Sequence, residues 1–290
     1  MDEKDFELLI RLDETRNITQ AASAMYTTQS AISKRLKAME MELGADLLIR
    51  SRKGVSFTRE GEVALEHARQ AYASTQRMRA AISDHCGEVQ GTLNAGVSIN
   101  YAQFVLPDVL ALYHARYPKV NVHIQSGHSR YLFQQLTQGQ LEVVIVRGEH
   151  PWTGEKVRLS VERMFTICGK GHSHAGDEEL PYIAHKTDPL LEEDMYRWML
   201  ERSPNLAKGQ LYVDNLISCV ELVRRGLGWA IVPEICLQSF DGVAEPLYFQ
   251  SGNAFERSTY LCCTREAMAM PQVRVFAEVL SEVHGLSVKA

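Results

Sequence analysis

The chain lacks the features of a membrane, secreted or metal-binding protein. No uninterrupted apolar run approaches the ~18 residues that a bilayer-spanning helix requires. The N-terminal segment MDEKDFELLIRLDETRN is acidic and polar, whereas a signal peptide has a basic start and an apolar core. The six cysteines form neither a CxxC pair nor a Cys/His metal spacing. We therefore expect a cytoplasmic protein with reduced thiols, no bound metal and no membrane partner.

The sequence also lacks the usual enzymatic motifs. The segment Gly226-x-Gly228 continues into Trp229, so the GxGxxG dinucleotide pattern fails, and Gly169-Lys-Gly-His172 lacks the Walker spacing. No nucleophile elbow of the GxSxG kind occurs. His172-x-His174 could form half of a metal site, but no third ligand is evident. We therefore predict no enzymatic activity, no catalytic residues and no cofactor.

Acidic residues are missing from two basic segments near the N-terminus, although the net charge of the 290-residue chain is −5. The charged residues of the first segment are Arg16, Lys34, Arg35 and Lys37, and those of the second are Arg50, Arg52, Lys53 and Arg59. Local positive charge favours binding to a polyanion, because neutralised phosphates release condensed counterions. Since the length predicts about two domains, we predict a DNA-binding domain on an otherwise acidic protein.

The first basic segment has the periodicity of a helix-turn-helix. A first helix takes its apolar face from Phe6, Leu9 and Ile10. Thr19 is suited to cap a second helix, and Thr28 is suited to cap a third that runs from Gln29 to about Leu43. The third helix buries the stripe Ile32, Leu36, Met39 and Leu43, and Gly44 ends it. Its opposite face carries hydroxyls, an amide and lysines, which suit base edges and phosphates.

The second basic segment, Arg50 to Phe57, is typical of two short strands around a turn, the wing of a winged helix. The predicted DNA-binding residues are Thr28, Gln29, Ser30, Ser33, Lys34, Lys37, Arg50, Arg52 and Lys53. Isolated charges would be better explained as a solvated face. Here, however, the turn, the helix cap and the wing follow one another in the order of a winged helix, and this combination favours DNA binding.

These residues resemble the N-terminal domain of LysR-type transcriptional regulators. The resemblance lies in Ala21-Ala22, Thr28-Gln29-Ser30-Ala31-Ile32-Ser33, Met39-Glu40-Met41-Glu42-Leu43-Gly44 and Thr58-Arg59-Glu60-Gly61. Two positions depart from the family pattern: Ser30 replaces the usual proline, and Leu48-Ile49-Arg50 replaces Phe-x-Arg. The resemblance implies a bacterial regulator that binds double-stranded operator DNA, with RNA polymerase as a further candidate partner.

A helix with neither Pro nor Gly after Gly61 is predicted from Glu60 to about Ser83. Its small and apolar residues, spaced four and three apart, are Ala64, Ala68, Ala71, Thr75, Met78 and Ile82. This seam could pair with a second copy or cover its own domain as an ordinary amphipathic face. The resemblance implies a linker helix that dimerises, which suits two DNA-binding domains on a palindromic site. We therefore expect a homo-oligomer, a dimer or a tetramer.

Beyond Gly87 to Gly91 the pattern changes to strands that alternate with helices, which predicts an α/β domain with a parallel sheet. The predicted strands are 93–97, 120–125, 143–146, 165–168, 210–213 and 230–232, and the predicted helices are 106–116, 130–138, 192–201, 215–225 and 272–283. The segments Phe104-x-Leu106-Pro107 and Gly226-Leu-Gly228 resemble the two-lobed effector domain of the same family, which is similar to periplasmic binding proteins.

The expected fold class is α+β overall, in three parts. Residues 1–59 form the winged helix-turn-helix domain, 60–90 the linker helix and hinge, and 91–290 the effector-binding domain. By the resemblance, lobe one comprises 91–163 and 266–290, and lobe two comprises 164–265.

A ligand of such a sheet binds beyond the carboxyl ends of the strands, where helices begin. The predicted effector-binding residues are Ser98, Ile99, Asn100, Tyr101, Ser126, Gly127, Ser129, Arg147, Gly148, His185, Thr187, Asn215 and Leu216. Helix N-termini attract anions, and Arg147 could grip a carboxylate or sulfonate. A salt bridge from Arg147 to Glu142 or Glu149 is the alternative, and the hydroxyls of Ser98 and Ser129 could be helix caps.

Three functions compete. The first is a transcription regulator that responds to a small anionic metabolite bound between the lobes. The second is a solute-binding protein, which does not explain the basic N-terminal domain. The third is a thiol-based redox regulator on the same scaffold that uses Cys219 and Cys236, although thiols that simply pack a helix and a strand are the more common case.

Overall fold

The computed structural model describes residues 1–51, 54–84, 88–171, 180–203, 209–238 and 240–286. The predicted DNA-binding residues Arg52 and Lys53, the pair His172-x-His174 and Cys86 lie outside the described residues. Within the described ranges, no helix has the length and apolar character that a membrane span requires. The same ranges contain no group of three or more His, Cys, Asp or Glu residues placed to hold a metal ion.

The N-terminal domain is the predicted winged helix-turn-helix. Its elements are α1 (Glu3–Thr15), α2 (Ile18–Ala24), α3 (Gln29–Leu43), β1 (Leu48–Ser51) and β2 (Gly54–Phe57). The Thr28 hydroxyl accepts a hydrogen bond from the Ala31 N–H at 3.2 Å and caps α3, as predicted. The cap of α2 is Asn17 and not Thr19, because the Asn17 side chain accepts the hydrogen bonds of the first free N–H groups. Gly44 ends α3 in the left-handed conformation, with φ 68°.

The core of this domain differs in part from the predicted one. The buried side of α1 consists of Leu8, Leu9 and Leu12, whereas Phe6 and Ile10 are only half-buried. The predicted stripe of α3 is buried at Ile32, Leu36 and Met39 but exposed at Leu43. The wing is held against the end of α1, because the N–H of Val55 donates to the carbonyl of Arg16 at 2.9 Å. A Cβ on the preceding Gly54 would lie 2.4 Å from the same carbonyl oxygen, so only glycine fits there.

The first turns of the linker helix α4 (Arg59–Asp84) pack against the N-terminal domain. Leu65 and Ala68 are buried in the core of the winged helix, and Ala64 packs against that core. Of the two alternatives for the predicted seam, packing against its own domain is therefore confirmed for the first part of the helix. Met78, farther along the seam, has 57% of its surface exposed in the single chain.

The remaining chain forms the predicted two-lobed α/β domain. Its first elements are β3 (Gly91–Ser98), α5 (Ile99–Phe104), α6 (Leu106–Arg116), β4 (Val120–Gly127), α7 (Ser129–Thr137), β5 (Val143–Arg147) and β6 (Glu155–Cys168). They are followed by β7 (Tyr182–His185), α8 (Pro189–Arg202), β8 (Gly209–Val213), α9 (Leu216–Arg224), β9 (Trp229–Pro233), a 3₁₀ turn (Glu234–Leu237) and β10 (Val243–Pro246). The last elements are β11 (Glu256–Cys263), α10 (Arg265–Met268) and α11 (Pro271–Val283).

The sheet is mixed and not parallel throughout. Its strand order is β4-β3-β5-β11-β6-β9-β7-β8, with β10 on β6. Strands β4, β3 and β5 are parallel to one another, as are β8, β7 and β9. Strands β6 and β11, however, are antiparallel to their neighbours and connect the two lobes. Because β11 pairs with β5 over Thr259–Cys263, it lies in the sheet of lobe one, although the predicted boundary places it in lobe two.

Helices cover both faces of each lobe, which is why the central strands are apolar without alternation. In lobe one, α5, α6 and α11 pack on one face and α7 packs on the other. In lobe two, α8 and α9 pack on opposite faces of β9. The residues that follow each parallel strand therefore lie at a free edge where the lobes meet.

Candidate DNA interface and effector site

The predicted DNA-binding face of α3 lies open to solvent. The exposed members are Thr28, Gln29, Ser30, Lys34, Lys37 and, on the wing, Arg50, whereas Ser33 is half-buried. These side chains begin at the N-terminus of α3 and continue along its outer face. They can therefore reach a groove and its phosphates together, which is how a recognition helix binds.

Arg35 does not belong to this face. Its guanidinium donates to Asp5, with 2.6 Å between Nε and Oδ1, and also contacts Asp2. Asp2 and Asp5 form the capping box of α1, so Arg35 ties α3 to the start of α1. The hydrogen bond from Arg35 lowers the pKa of Asp2. Arg35 therefore stabilises the domain, and its charge is matched within the domain.

Tyr26 is an exposed aromatic residue in the turn that precedes α3. It lies in the turn before α3 with 99% of its surface exposed and with φ 51°, in the left-handed region. In the sequence, Tyr26 lies between the second and third predicted helices, and nothing there signals its exposure. The positive φ is set by the turn geometry, and no residue preference for Tyr signals it.

The predicted effector residues lie at the carboxyl ends of adjacent strands. Ser98 pairs with Gly127 across β3 and β4, and Arg147 ends the neighbouring strand β5. In lobe two, His185 ends β7, and Asn215 caps α9 by accepting from the Ser218 N–H at 2.8 Å. The buried residues are Ser98, Tyr101, Ser129, Arg147, His185 and Leu216; the half-buried ones are Asn100, Gly127, Gly148, Thr187 and Asn215; Ile99 and Ser126 are exposed.

The two serines differ from their predicted capping role. Ser98 occupies the N-cap position of α5, but its side chain makes no cap hydrogen bond. Ser129 is the first residue of α7, and its hydroxyl is bonded to the main chain of Arg147, at 3.3 Å from both the nitrogen and the oxygen. Ser129 therefore fixes the end of β5 against the start of α7.

Arg147 forms a buried ion pair, but with neither of the predicted acids. Its guanidinium contacts Glu162 of β6, and only 4% of the residue is exposed. Glu142 instead accepts from the Asn94 N–H at 2.6 Å, and Glu149 pairs with Lys156 at 3.0 Å. Burial, followed by the nearby charge of Arg257, lowers the pKa of Arg147, which still remains cationic near neutral pH.

A cavity of about 260 Å³ adjoins Arg147 and lies where both lobes meet. Lobe one contributes Tyr101, whose hydroxyl is 2.7 Å from Nε2 of His284, and lobe two contributes Ile235. The other residues that line it are Val105, Ser160, Glu162, Glu234, Gln238 and Thr259. Tyr101 and Arg147 are thus the predicted effector residues that border this cavity.

Three buried polar atoms at this edge have no hydrogen-bond partner among the residues that the structure describes. They are the hydroxyl oxygen of Ser98, Nε of Arg147 and Nδ1 of His185. Buried polar groups normally have partners, so three such atoms close together are unusual in a folded protein. Burial, followed by the charge of Arg257, lowers the pKa of His185 to about 4, so its ring is neutral near neutral pH.

Sequence reasoning misses two charged residues of this edge, Arg257 and Asp188, which form an ion pair with each other. The dipeptide Asp188-Pro189 is a recognisable helix start, and Asp188 indeed caps α8. Nothing local in the sequence marks Arg257, because its partner is distant along the chain.

The buried cysteines are poor candidates for a redox centre in this conformation. Cys219 and Cys236 are both buried, and burial raises the pKa of each thiol to about 12. Since the thiolate is the reactive form, neither sulfur is activated. Each is a free cysteine.

Two family models match the chain in the same order as its domains. The model of the bacterial regulatory helix-turn-helix protein, lysR family, matches residues 4–62, and the LysR substrate binding domain model matches residues 87–285.

Curated relatives and solved structures agree with these two family models. The chain is 36% identical over 284 residues to the uncharacterized HTH-type transcriptional regulator YraN of Bacillus subtilis strain 168, with 97% of each chain covered. It is 21% identical over 296 residues to the transcriptional activator IlvY of Salmonella typhimurium strain LT2, covering 97% of this chain and 99% of that one.

Among solved structures, a full-length OxyR variant from Pseudomonas aeruginosa shares the fold with a TM-score of 0.69 at 17% identity, each chain being covered completely. CbnR, a LysR family transcriptional regulator, does so with a TM-score of 0.66 at 18% identity, with 98% of this chain and 99% of that chain covered. The chain belongs to the LysR family of transcriptional regulators, oligomeric proteins that bind DNA and respond to an effector ligand.

Proposed function

We propose that the protein reads operator DNA with α3 and the wing. Gln29, Ser30 and Ser33 face the base edges, Lys34, Lys37 and Arg50 neutralise phosphates, and Arg52 and Lys53 of the wing add to this field. The exposure of the described members along one face of α3 supports this division of roles. In this proposal residues 1–59 form the DNA-binding domain, and 60–90 form the linker and hinge.

The effector that we propose is a small anionic metabolite held where the lobes meet. The observation that carries this proposal is the guanidinium of Arg147, which is buried beside the 260 Å³ cavity and whose Nε–H has no hydrogen-bond partner among the described residues. Glu162 already balances the charge of Arg147, so Arg147 supplies a directed hydrogen bond to the ligand and not net positive charge. A small carboxylate or sulfonate can accept this hydrogen bond.

The alternatives have less support. A thiol-based redox switch needs an activated sulfur, whereas burial raises the pKa of Cys219 and Cys236. A solute-binding role leaves the winged helix unexplained. We propose that the protein acts in the cytoplasm and does not catalyse a reaction. Its affinity for operator DNA changes when the lobes close on the effector.

Thermal-shift screening of the full-length protein with carboxylates, sulfonates and neutral aromatics tests the effector class. We expect an anion to raise the melting temperature, because a ligand that binds only the folded state stabilises it. The double variant Arg147→Met with Glu162→Gln removes both charges of the buried pair and should abolish the shift.

The matched control is Arg116→Gln, which removes an exposed arginine that pairs with Glu282 on the surface of lobe one. It should retain the full shift. Hits confined to neutral compounds, or an anion that binds the double variant as tightly as the parent, would reject the anionic effector and leave the DNA-binding role intact.

A further inference from the structure

Arg257 connects the two lobes through a single guanidinium. Its Nη2 contacts the carboxylate of Asp188 in lobe two. The same nitrogen donates to the main-chain carbonyl of Arg147 in lobe one, at 3.4 Å. Arg257 and Asp188 keep 10% and 16% of their side-chain surfaces exposed, so the pair is largely shielded from water. One buried cation therefore holds an acid of one lobe against the backbone of the other.

The lobe-one end of this connection is itself fixed. The carbonyl of Arg147 also lies 3.2 Å from Nε2 of His150 and 3.3 Å from the Ser129 hydroxyl. A Cβ on the next residue, Gly148, would lie 3.7 Å from Nη2 of Arg257, so the guanidinium sits directly over the end of β5. Arg257 thus docks on the end of β5, at a carbonyl that Ser129 at the start of α7 also contacts.

The lobe-two end is equally well defined. One carboxylate oxygen of Asp188 caps α8 by accepting from the Leu191 N–H at 3.0 Å, and the other contacts Arg257. A shift of α8 therefore moves the partner of Arg257. His185, three residues before Asp188, feels the charge of Arg257, which contributes to its lowered pKa. The connection thus adjoins the effector residues of lobe two.

We propose that Arg257 and Asp188 form an interlobe clamp that sets the angle between the lobes and thereby the response to the effector. This inference rests on the proposed effector site at the lobe junction. Opening the junction separates a buried ion pair, and a buried charge without its partner is strongly unfavourable. The clamp keeps the lobes in register while the cavity is empty. Arg257 is a positioning residue in this scheme, since it acts through the lobes that it joins.

Hydrogen exchange measured by mass spectrometry on the full-length protein tests the clamp without any ligand. In Arg257→Gln we expect amides of β7, the first turn of α8 and the start of α7 to exchange at least about tenfold faster, because the interlobe contacts open. Exchange in the winged helix and in β3 should stay unchanged. Arg116→Gln, which breaks an ion pair within lobe one, is the matched control and should leave β7 and α8 as they are.

Two further variants separate a clamp from general stabilisation. Arg257→Lys keeps the cation and should recover part of the protection. Asp188→Asn with Arg257→Gln should open the junction no more than Arg257→Gln alone, since the two groups act as a unit. Unchanged exchange in Arg257→Gln, or a uniform increase over the whole chain, would overturn the clamp. The thermal-shift result for the effector is independent of this outcome, so either proposal can fail alone.

Discussion

Lys34 and Arg35 are adjacent basic residues of α3 to which the structure gives opposite roles. Lys34 is exposed on the proposed DNA face, whereas Arg35 donates to Asp5 and contacts Asp2. We predict that Lys34→Ala weakens DNA binding and leaves stability almost unchanged. Arg35→Ala should lower the stability of the domain and leave the phosphate contacts with DNA almost unchanged.

The size of the stability loss follows from the two contacts of Arg35. Asp5 keeps 10% of its side-chain surface exposed, and a hydrogen bond to such a charged group contributes about 1.5–3 kcal/mol. Asp2 is 65% exposed, so its contact adds less than about 1 kcal/mol. The expected loss is therefore about 2 kcal/mol, or about a 30-fold drop in the protection of α1 and α3 amides.

The assay has two parts on the full-length protein. Hydrogen exchange reports the local stability of α1 and α3. Titrations of operator DNA at several salt concentrations give the slope of log K against log salt, which falls by about 0.9 for each lost phosphate contact. Lys34→Ala should reduce this slope by about that amount, and Arg35→Ala should leave it unchanged. If Arg35→Ala flattens the slope as Lys34→Ala does, then Arg35 contacts DNA and our assignment of its role is wrong.

Three further predictions concern the effector domain and the linker. Stability should fall by about 3 kcal/mol as the pH is lowered from about 6.5 to about 4, because the unfolded chain protonates His185 before the folded one does; His185→Gln should flatten this dependence in urea titrations. Glu162→Gln should cost about 3–5 kcal/mol in the same assay, since it leaves Arg147 buried without its carboxylate. Met78→Glu should reduce the oligomer mass in light scattering, because this exposed seam residue then carries a charge into the helix pair; an unchanged mass would exclude Met78 from the contact.

The sequence predicts the helices well, because their signals are local. The predicted helix 106–116 is observed with the same bounds, since Pro107 fits its first turn and Pro118 follows its end. The linker helix and the wing are also confirmed. Thr28 and Gly44 mark the two ends of α3 in the sequence as they do in the structure.

The ion pairs and parts of the hinge strands are not predictable in this way. The first half of β6 has a strand signal in the alternation of Val157, Leu159 and Val161, which the predicted strand 165–168 leaves out. The first half of β11, Glu256–Thr259, is polar, and its strand character comes from its partners. Arg35 and Arg147 are paired with acids that lie far along the chain, so their neighbours in sequence do not reveal whether they contact a ligand. The placement of Arg257 is hidden for the same reason.

The position of β11 constrains how the protein is made. The strand β5, with the sequence Val143-Val-Ile-Val-Arg147, has β3 on one edge and β11 on the other. During synthesis, therefore, the second edge of β5 stays unpaired until Cys263 has left the ribosome. An open apolar edge of this kind recruits other strands, and pairing over such a sequence distance is slow. A nascent chain that stops within lobe two therefore leaves the β11 edge of β5 unpaired, and an unpaired apolar edge favours aggregation.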